Sequence, residues 1–381
     1  MLTNQRSKFQ IPSGHTYLNC AYMSPLAKAV EKAGIEGLLK KRNPFSISSE
    51  DFFTEVEALR KEFSKLIKCS AQDVAIIPSA SYGLSTVAKN ISLKKGDEII
   101  ILSEQFPSNV YPWKVLAQSS QSTLKIVEAP KQLALRGKIW NEKILDAISP
   151  KTKVVALGHV HWADGTLFDL QAIRKRTNEV GAYLIIDGTQ SVGALAFDVT
   201  KIKPDALICA GYKWLMGPYA IGLAYFGERF YDGKPLEENW ISRKESEDFT
   251  SLVNYQNEYQ PGNRKFDVGE RSNFILVPMM LAALQMINAW KPKQIQHYIK
   301  RISKEPIAHL QEHDWWVEDE KVRAHHLFGI RPLRSVDWIK IKSQLVKEKI
   351  AVSFRGNSMR IAPHVYNSEK ELWKLVNVLC A

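Results

Sequence analysis

Cysteine is scarce: the chain carries four in 381 residues, Cys20, Cys69, Cys209 and Cys380, and no two of them form a CxxC pair. Thiols scattered in this way argue against a disulfide framework or a zinc site. They fit a reducing compartment, so a cytoplasmic location is expected. Long apolar runs are also missing. The longest, "FILVPMMLAALQMI" from Phe274 to Ile287, falls short of the ~18 residues that span a bilayer. It contains Pro278, so it reads as a buried helix and no membrane partner is expected. The opening "MLTNQRSKFQIPSG" lacks the apolar stretch of a signal peptide. Internal repeats, low-complexity segments, a GxSxG elbow and a Walker lysine are all absent. His159, His161, His325 and His326 have no cysteine or spaced acid beside them, so no metal site is expected.

What is present is an ordinary globular composition, 45% hydrophobic and 24% charged, with a net charge of +12. That charge is spread along the chain and interleaved with acids, and no nucleic-acid motif accompanies it, so it reads as a solvated basic surface. Short apolar runs recur between amphipathic segments: "VAII" (Val74–Ile77), "EIIIL" (Glu98–Leu102), "LKIV" (Leu124–Val127), "KVVAL" (Lys153–Leu157), "AYLIID" (Ala182–Asp187), "DALICA" (Asp205–Ala210) and "IGLAYF" (Ile221–Phe226). Several are apolar on both faces, as strands covered by helices are. "DLQAIRKRTNEVGA" supplies a helix with Asp169 as N-cap and Gly181 near its end. The alternation predicts an α/β fold with a mostly parallel sheet, "IGLAYF" running antiparallel because no helix fits before it. Past residue 250 a polar stretch leads to a helix over Pro278–Trp290, then to strands at "HLFGIR", "AVSF" and "SMRIA". A last helix opens on the capping box of Ser368 and Glu371. The expected division is an N-terminal segment (1–20), a large domain (21–255) and a smaller α+β domain (256–381).

Two residues stand out for chemistry. Asp187 ends one strand, where parallel α/β sheets place their ligands, and Lys213 follows the next strand in "AGYKWLMGP". A carboxylate can keep a heterocyclic nitrogen protonated, and a lysine can form a Schiff base with an aldehyde. "PSASYGLSTVAKN" follows "VAII" with small hydroxyl residues and a helical pattern. The N–H groups of Ala80 and Ser81, the Ser81 hydroxyl and the helix dipole suit a phosphate, while Ser79 or Ser81 serves equally as an N-cap.

The set "PSASYGLSTVA", "EQFPSNVYPW", "DGTQSVGA", "AGYKWLMGP" and "MRIAPHVYNSEKEL" resembles the class V aminotransferases, from about residue 15 to the C-terminus. This family of enzymes dependent on pyridoxal 5'-phosphate (PLP) includes cysteine desulfurases, kynureninases and isopenicillin epimerase-like proteins. The resemblance implies fold type I, a three-layer fold around a mostly parallel seven-stranded sheet. It implies that Lys213 holds PLP as a Schiff base and that Asp187 partners the ring nitrogen. Gln190 would bond the ring hydroxyl oxygen, Phe106 would stack on the ring, and Ala80, Ser81 and Tyr212 would contact the phosphate. Trp240 would reach the phosphate from a neighbouring subunit of a homodimer. Arg360 would grip the substrate carboxylate, with Asn19 in a segment folded over the pocket.

Departures from the family pattern narrow the activity. The desulfurase cysteine is missing from "QLVKEKIAVSFRGNSMR". "GERSN" (269–273) replaces the phosphate turn of the second subunit, so Glu270 repels phosphate and Arg271, Ser272 or Asn273 must supply any contact. Trp162 stands where desulfurases carry an asparagine. Tyr212 and Phe106 lean towards the kynureninase pattern. The expected function is transfer of an amino group from an amino acid to a 2-oxo acid. A kynureninase-like or other Cβ-lyase, an epimerase or racemase, and a non-catalytic protein of this fold are the alternatives.

Overall fold

The apolar runs become strands because each must bury two faces, and the computed structural model, which describes residues 2–356 and 358–381, gives both faces a cover. The strands in chain order are β1 (Thr16–Tyr17), β2 (Val74–Ile77), β3 (Glu98–Leu102), β4 (Thr123–Val127), β5 (Thr152–Gly158), β6 (Tyr183–Asp187), β7 (Ala206–Ala210), β8 (Gly222–Phe226), β9 (Trp315–Val317), β10 (Phe328–Pro332), β11 (Ile350–Ala351), β12 (Ser353–Arg355) and β13 (Ser358–Ile361). Seven of them form one sheet in the order β2-β8-β7-β6-β5-β3-β4. β8 pairs antiparallel with both β7 and β2, and the other pairings are parallel.

The helices are α1 (Lys28–Lys40), α2 (Thr54–Ile67), α3 (Ala80–Lys89), α4 (Tyr111–Ser120), α5 (Arg136–Ala147), α6 (Leu170–Val180), α7 (Val199–Ile202), α8 (Leu276–Trp290), α9 (Pro292–Glu312), α10 (Trp338–Lys347) and α11 (Glu369–Leu379). Alternate strand residues join two separate cores, as a pleat of period two requires. Ile77, Ile99, Ile101, Ile185 and Ile208 pack with Leu84 and Val87 of α3 and Trp113 of α4. Ile76, Ile100, Ile186, Leu207 and Leu223 face the other way, towards α2, α5, α6 and α8. The result is the three-layer α/β architecture expected from the sequence.

A second, antiparallel sheet has the order β12-β13-β10-β9, with α9 packed against α11 beside it. The N-terminal segment docks there: β1 pairs parallel with β11, and Asn19 bridges to Ala362. Helix ends follow the capping chemistry. Asp169 accepts from the N–H groups of Gln171 and Ala172, Gly181 closes α6 at φ 71°, and Ser368 with Glu371 forms the capping box of α11. Helix α8 begins at Leu276, two residues before the expected start. Asn273 Oδ1 caps it, and Pro278 lies in the first turn, where its missing N–H has no intrahelical partner to lose. Among the described residues, no helix is long and apolar enough to cross a membrane.

Candidate active site

The C-terminal tips of β6 and β7 deliver Asp187 and Lys213 to the same edge of the large sheet, beside a cavity of about 260 Å³. Its lining includes Ala80 and Ser81 on one side, Asp187, Gln190 and Lys213 on the floor, and Phe106 with Trp162 above. The loop carrying Lys213 turns tightly: the Gly211 N–H donates to Ile221 O at 2.9 Å, and the Gly217 N–H donates to Gly211 O at 2.9 Å. A Cβ at Gly211 would sit 2.4 Å from the Ile221 carbonyl oxygen, so the turn requires glycine.

Lys213 is only 6% exposed. Burial pushes its ammonium down to about 8, against the attraction of Asp187, and the charges of Arg360 and Arg355 act in the same direction as burial. Its Nζ lies 5.1 Å from the centre of the Phe106 ring and 5.4 Å from that of Tyr212. Burial raises the Asp187 carboxyl, while the Thr189 N–H at 3.0 Å, the Thr189 hydroxyl and Lys213 pull it back down. Gln190 is locked at three points. Its Oε1 accepts from Trp214 Nε1 at 2.8 Å, its Nε2 donates to Ala21 O at 3.2 Å, and its carbonyl lies 2.8 Å from His326 Nε2.

At the other end of the cavity α3 begins. Ser79 is its N-cap, accepting from the Tyr82 N–H at 3.2 Å and lying 2.9 Å from the Ser81 hydroxyl. The N–H groups of Ala80 and Ser81 belong to the first turn and have no carbonyl within the helix to bond, which makes this end a receptor for an anion. The Tyr212 ring borders the cavity and packs against Tyr219 at 4.6 Å.

Arg360, on β13, is 1% exposed. Its Nη1 donates to Trp162 O at 3.0 Å, whereas Nε and Nη2 are buried without a partner. Burial and Arg355 lower this guanidinium to about 9. Two unsatisfied donors in fork geometry match a carboxylate. Arg360 does not itself line the cavity; it lies behind Trp162, its Cζ 5.9 Å from that ring. Asn19 is close to Arg360 rather than to the cavity: its Oδ1 accepts from the hydroxyl of Ser353, the register partner of Arg360.

Other expected residues stand elsewhere. Trp240, expected to serve a neighbouring subunit, does not border the cavity of its own chain and packs with Phe52 and Phe249. In the "GERSN" turn the candidate phosphate contacts are already engaged. Arg271 pairs with Asp267 at 2.7 Å, the Ser272 hydroxyl donates to Phe52 O, and Asn273 caps α8. His161, which the sequence reading leaves without an acid partner, lines the cavity and is held by Asp164 at 2.8 Å. An acid three residues after a histidine was the available signal. Trp162 Nε1 donates to Glu104 O at 2.6 Å, so this wall is tied to the loop before Phe106.

A lysine and a carboxylate at neighbouring strand tips, a helix N-terminus across the cavity and this three-layer sheet define a PLP-dependent enzyme of fold type I. The residues fit that cofactor: Lys213 offers an amine whose burial favours the neutral form, Asp187 an acid for the ring nitrogen, and α3 an anion seat. The chain belongs to the class V aminotransferase family, whose model, described as Aminotransferase class-V, matches residues 41–372. Its cofactor is therefore pyridoxal 5'-phosphate. Relatives include an uncharacterized aminotransferase, YcbU, of Bacillus subtilis, 26% identical over 99% of this chain and 96% of the relative. A probable cysteine desulfurase of Pyrococcus abyssi is 28% identical over 85% of this chain and 82% of its own. Among solved structures, a lysine-to-alanine mutant of C-DES with glycine covalently linked to its PLP cofactor superposes with a TM-score of 0.86 at 19% identity, covering 99% of both chains. An apo cysteine desulfurase from Thermococcus onnurineus gives 0.83 at 22% identity, covering 98% of this chain and 96% of the other.

Proposed function

We propose that the protein is an aminotransferase that moves the amino group of an amino acid to a 2-oxo acid. The observation that carries this reading is a base without a thiol. Lys213 brings an amine into the cavity, while none of the four cysteines borders it. Cys20 and Cys209 are fully buried, and burial pushes the Cys20 thiol up to about 12 and raises Cys209 well above its usual range. A desulfurase needs a reactive thiolate at the substrate sulfur, which this arrangement does not provide.

When bound, PLP supplies the electron sink for charge left at the substrate Cα. The chain's residues supply the rest. The first N–H groups of α3 and the Ser81 hydroxyl seat the phosphate, with Tyr212 alongside. Asp187 holds the ring nitrogen protonated, and Gln190 keeps one N–H for the ring hydroxyl. Phe106 closes one face and limits water. Lys213 Nζ takes the proton from the substrate Cα, and Arg360 receives the α-carboxylate through Nε and Nη2.

We further propose a homodimer. Trp240, Phe249 and Tyr255 are 43%, 39% and 93% exposed, an apolar face suited to a second copy. Light scattering of the purified protein tests this.

The reaction is tested by mixing PLP-loaded protein with single amino acids and no acceptor. An aminotransferase converts its cofactor stoichiometrically to the amine form and then stops until a 2-oxo acid is added. Continuous release of ammonia or of a Cβ fragment without an acceptor would overturn the reading in favour of a lyase. Lys213→Ala is expected to lower the rate about 10²–10⁴-fold, the usual worth of positioned proton transfer.

A further inference from the structure

Far from the cavity, three metal-binding side chains converge. His309 lies in the last turn of α9 and His313 is its C-cap, one turn further on and on the same face. Their rings stack with centroids 4.0 Å apart and planes inclined by 27°. Cys380 arrives as the C-cap of α11, and one ligand atom from each of the three lies within 4.8 Å of the others. Bonds of ~2.0–2.1 Å to nitrogen and ~2.3 Å to sulfur place tetrahedral ligands roughly 3.3–3.7 Å apart, so small side-chain rotations close the set.

The surroundings prepare this point for a cation. His313 Nδ1 is 2.8 Å from the His309 carbonyl oxygen. A bond there needs the proton on Nδ1, which leaves the Nε2 lone pair free, the arrangement in which histidine ligates metals. The edge of Trp373 packs on the His309 ring at 5.4 Å and restricts its rotation. Helices α9 and α11 both end here, so two partial negative charges of helix C-termini meet at the cluster.

We propose that His309, His313 and Cys380 bind a zinc ion, with water in the fourth position, which clamps the end of α11 to α9. A nitrogen–nitrogen–sulfur set selects Zn²⁺ over hard cations such as Mg²⁺ or Ca²⁺. Binding exchanges the thiol proton for the metal and releases it to solvent. The separation of the ligands in sequence, two on one helix and one near the C-terminus, hid the site from a search for CxxC spacing.

The test uses untagged, PLP-loaded protein, stripped with chelator and dialysed against Zn²⁺. One zinc per chain is expected, with a melting temperature that rises on zinc addition. Co²⁺ in its place is expected to give a thiolate-to-metal charge-transfer band and tetrahedral d–d bands. Cys380→Ser should abolish the charge-transfer band, and both Cys380→Ser and His309→Ala should weaken zinc binding at least tenfold while the PLP absorption stays intact. Exposed His15, changed to alanine, is the control and should leave binding unaltered. Absence of stoichiometric uptake, a cobalt spectrum without the thiolate band, or undiminished binding in both variants would overturn the proposal.

Discussion

Lys213 is chemically useful because it is buried. An ammonium in water stays charged to about pH 10, but desolvation brings this one to about 8. The neutral amine is the form that attacks an aldehyde, and its fraction grows as pH rises through the pKa. The rate at which cofactor-free protein captures PLP is therefore expected to climb from pH 6 to about 8 and then level off. Stopped-flow absorbance measures this, and a rate still rising steeply at pH 10 would mean that burial does not tune this lysine. Arg360 carries a second expectation. Arg360→Lys keeps the charge but loses the fork, so KM for the amino acid should rise roughly 10- to 100-fold with little change in kcat, by loss of a charge-assisted pair. Steady-state kinetics of the Arg360→Lys variant measure both. The local motifs "DGTQS" and "GYK" made Asp187, Gln190 and Lys213 legible, since adjacent strand tips bring them together. The cover of Trp162 over Arg360 was not legible, because it joins a loop after β5 to a strand of the other sheet.

At the scale of elements, the wall carrying His161 and Trp162 depends on one turn. Gly165 adopts φ +80°, and a Cβ there would lie 2.0 Å from the Leu327 carbonyl oxygen. Both the left-handed backbone and the close approach to the segment before β10 demand glycine. Gly165→Ala is expected to cost about 1–3 kcal/mol and to weaken cofactor retention, because the displaced turn moves the cavity wall. Denaturant unfolding and PLP release by dialysis measure the two effects; unchanged values for both would show that the turn absorbs the methyl group. The long strands and capped helices were readable because their signals are local: apolar runs, Asp169 before α6, and Ser368 with Glu371 before α11. β1, β9 and β11 escaped because each has two or three residues and exists only through its partner strand. In the "GERSN" turn the chain bonds Arg271, Ser272 and Asn273 internally, a use that their local sequence does not reveal.

For the whole molecule, one carboxylate ties distant parts of the chain. Asp267 pairs with fully buried Arg60 of α2 and with Arg271, and its Oδ1 accepts from the Ile76 N–H of β2 at 2.8 Å. Asp267→Asn leaves buried Arg271 without its ion partner and Arg60 with Glu57 alone, and should destabilise the protein by about 3–5 kcal/mol, the range for breaking a buried ion pair. Equilibrium unfolding of the holoenzyme tests this, and a loss below 1 kcal/mol would show that water or another acid replaces the carboxylate. No sequence rule pairs Asp267 with Arg60, since only the folded chain brings them together.

The concealed fork of Arg360 bears on how fast a substrate is accepted. The two free donors are buried beside Trp162 and do not border the cavity, so on the proposed role of Arg360 an incoming carboxylate does not reach them without a movement of that wall. On that role, capture would divide into a weak encounter followed by a slower isomerisation that opens the way to the guanidinium. The observed rate of cofactor colour change would rise with substrate concentration and reach a plateau set by the motion of one indole ring, rather than by diffusion.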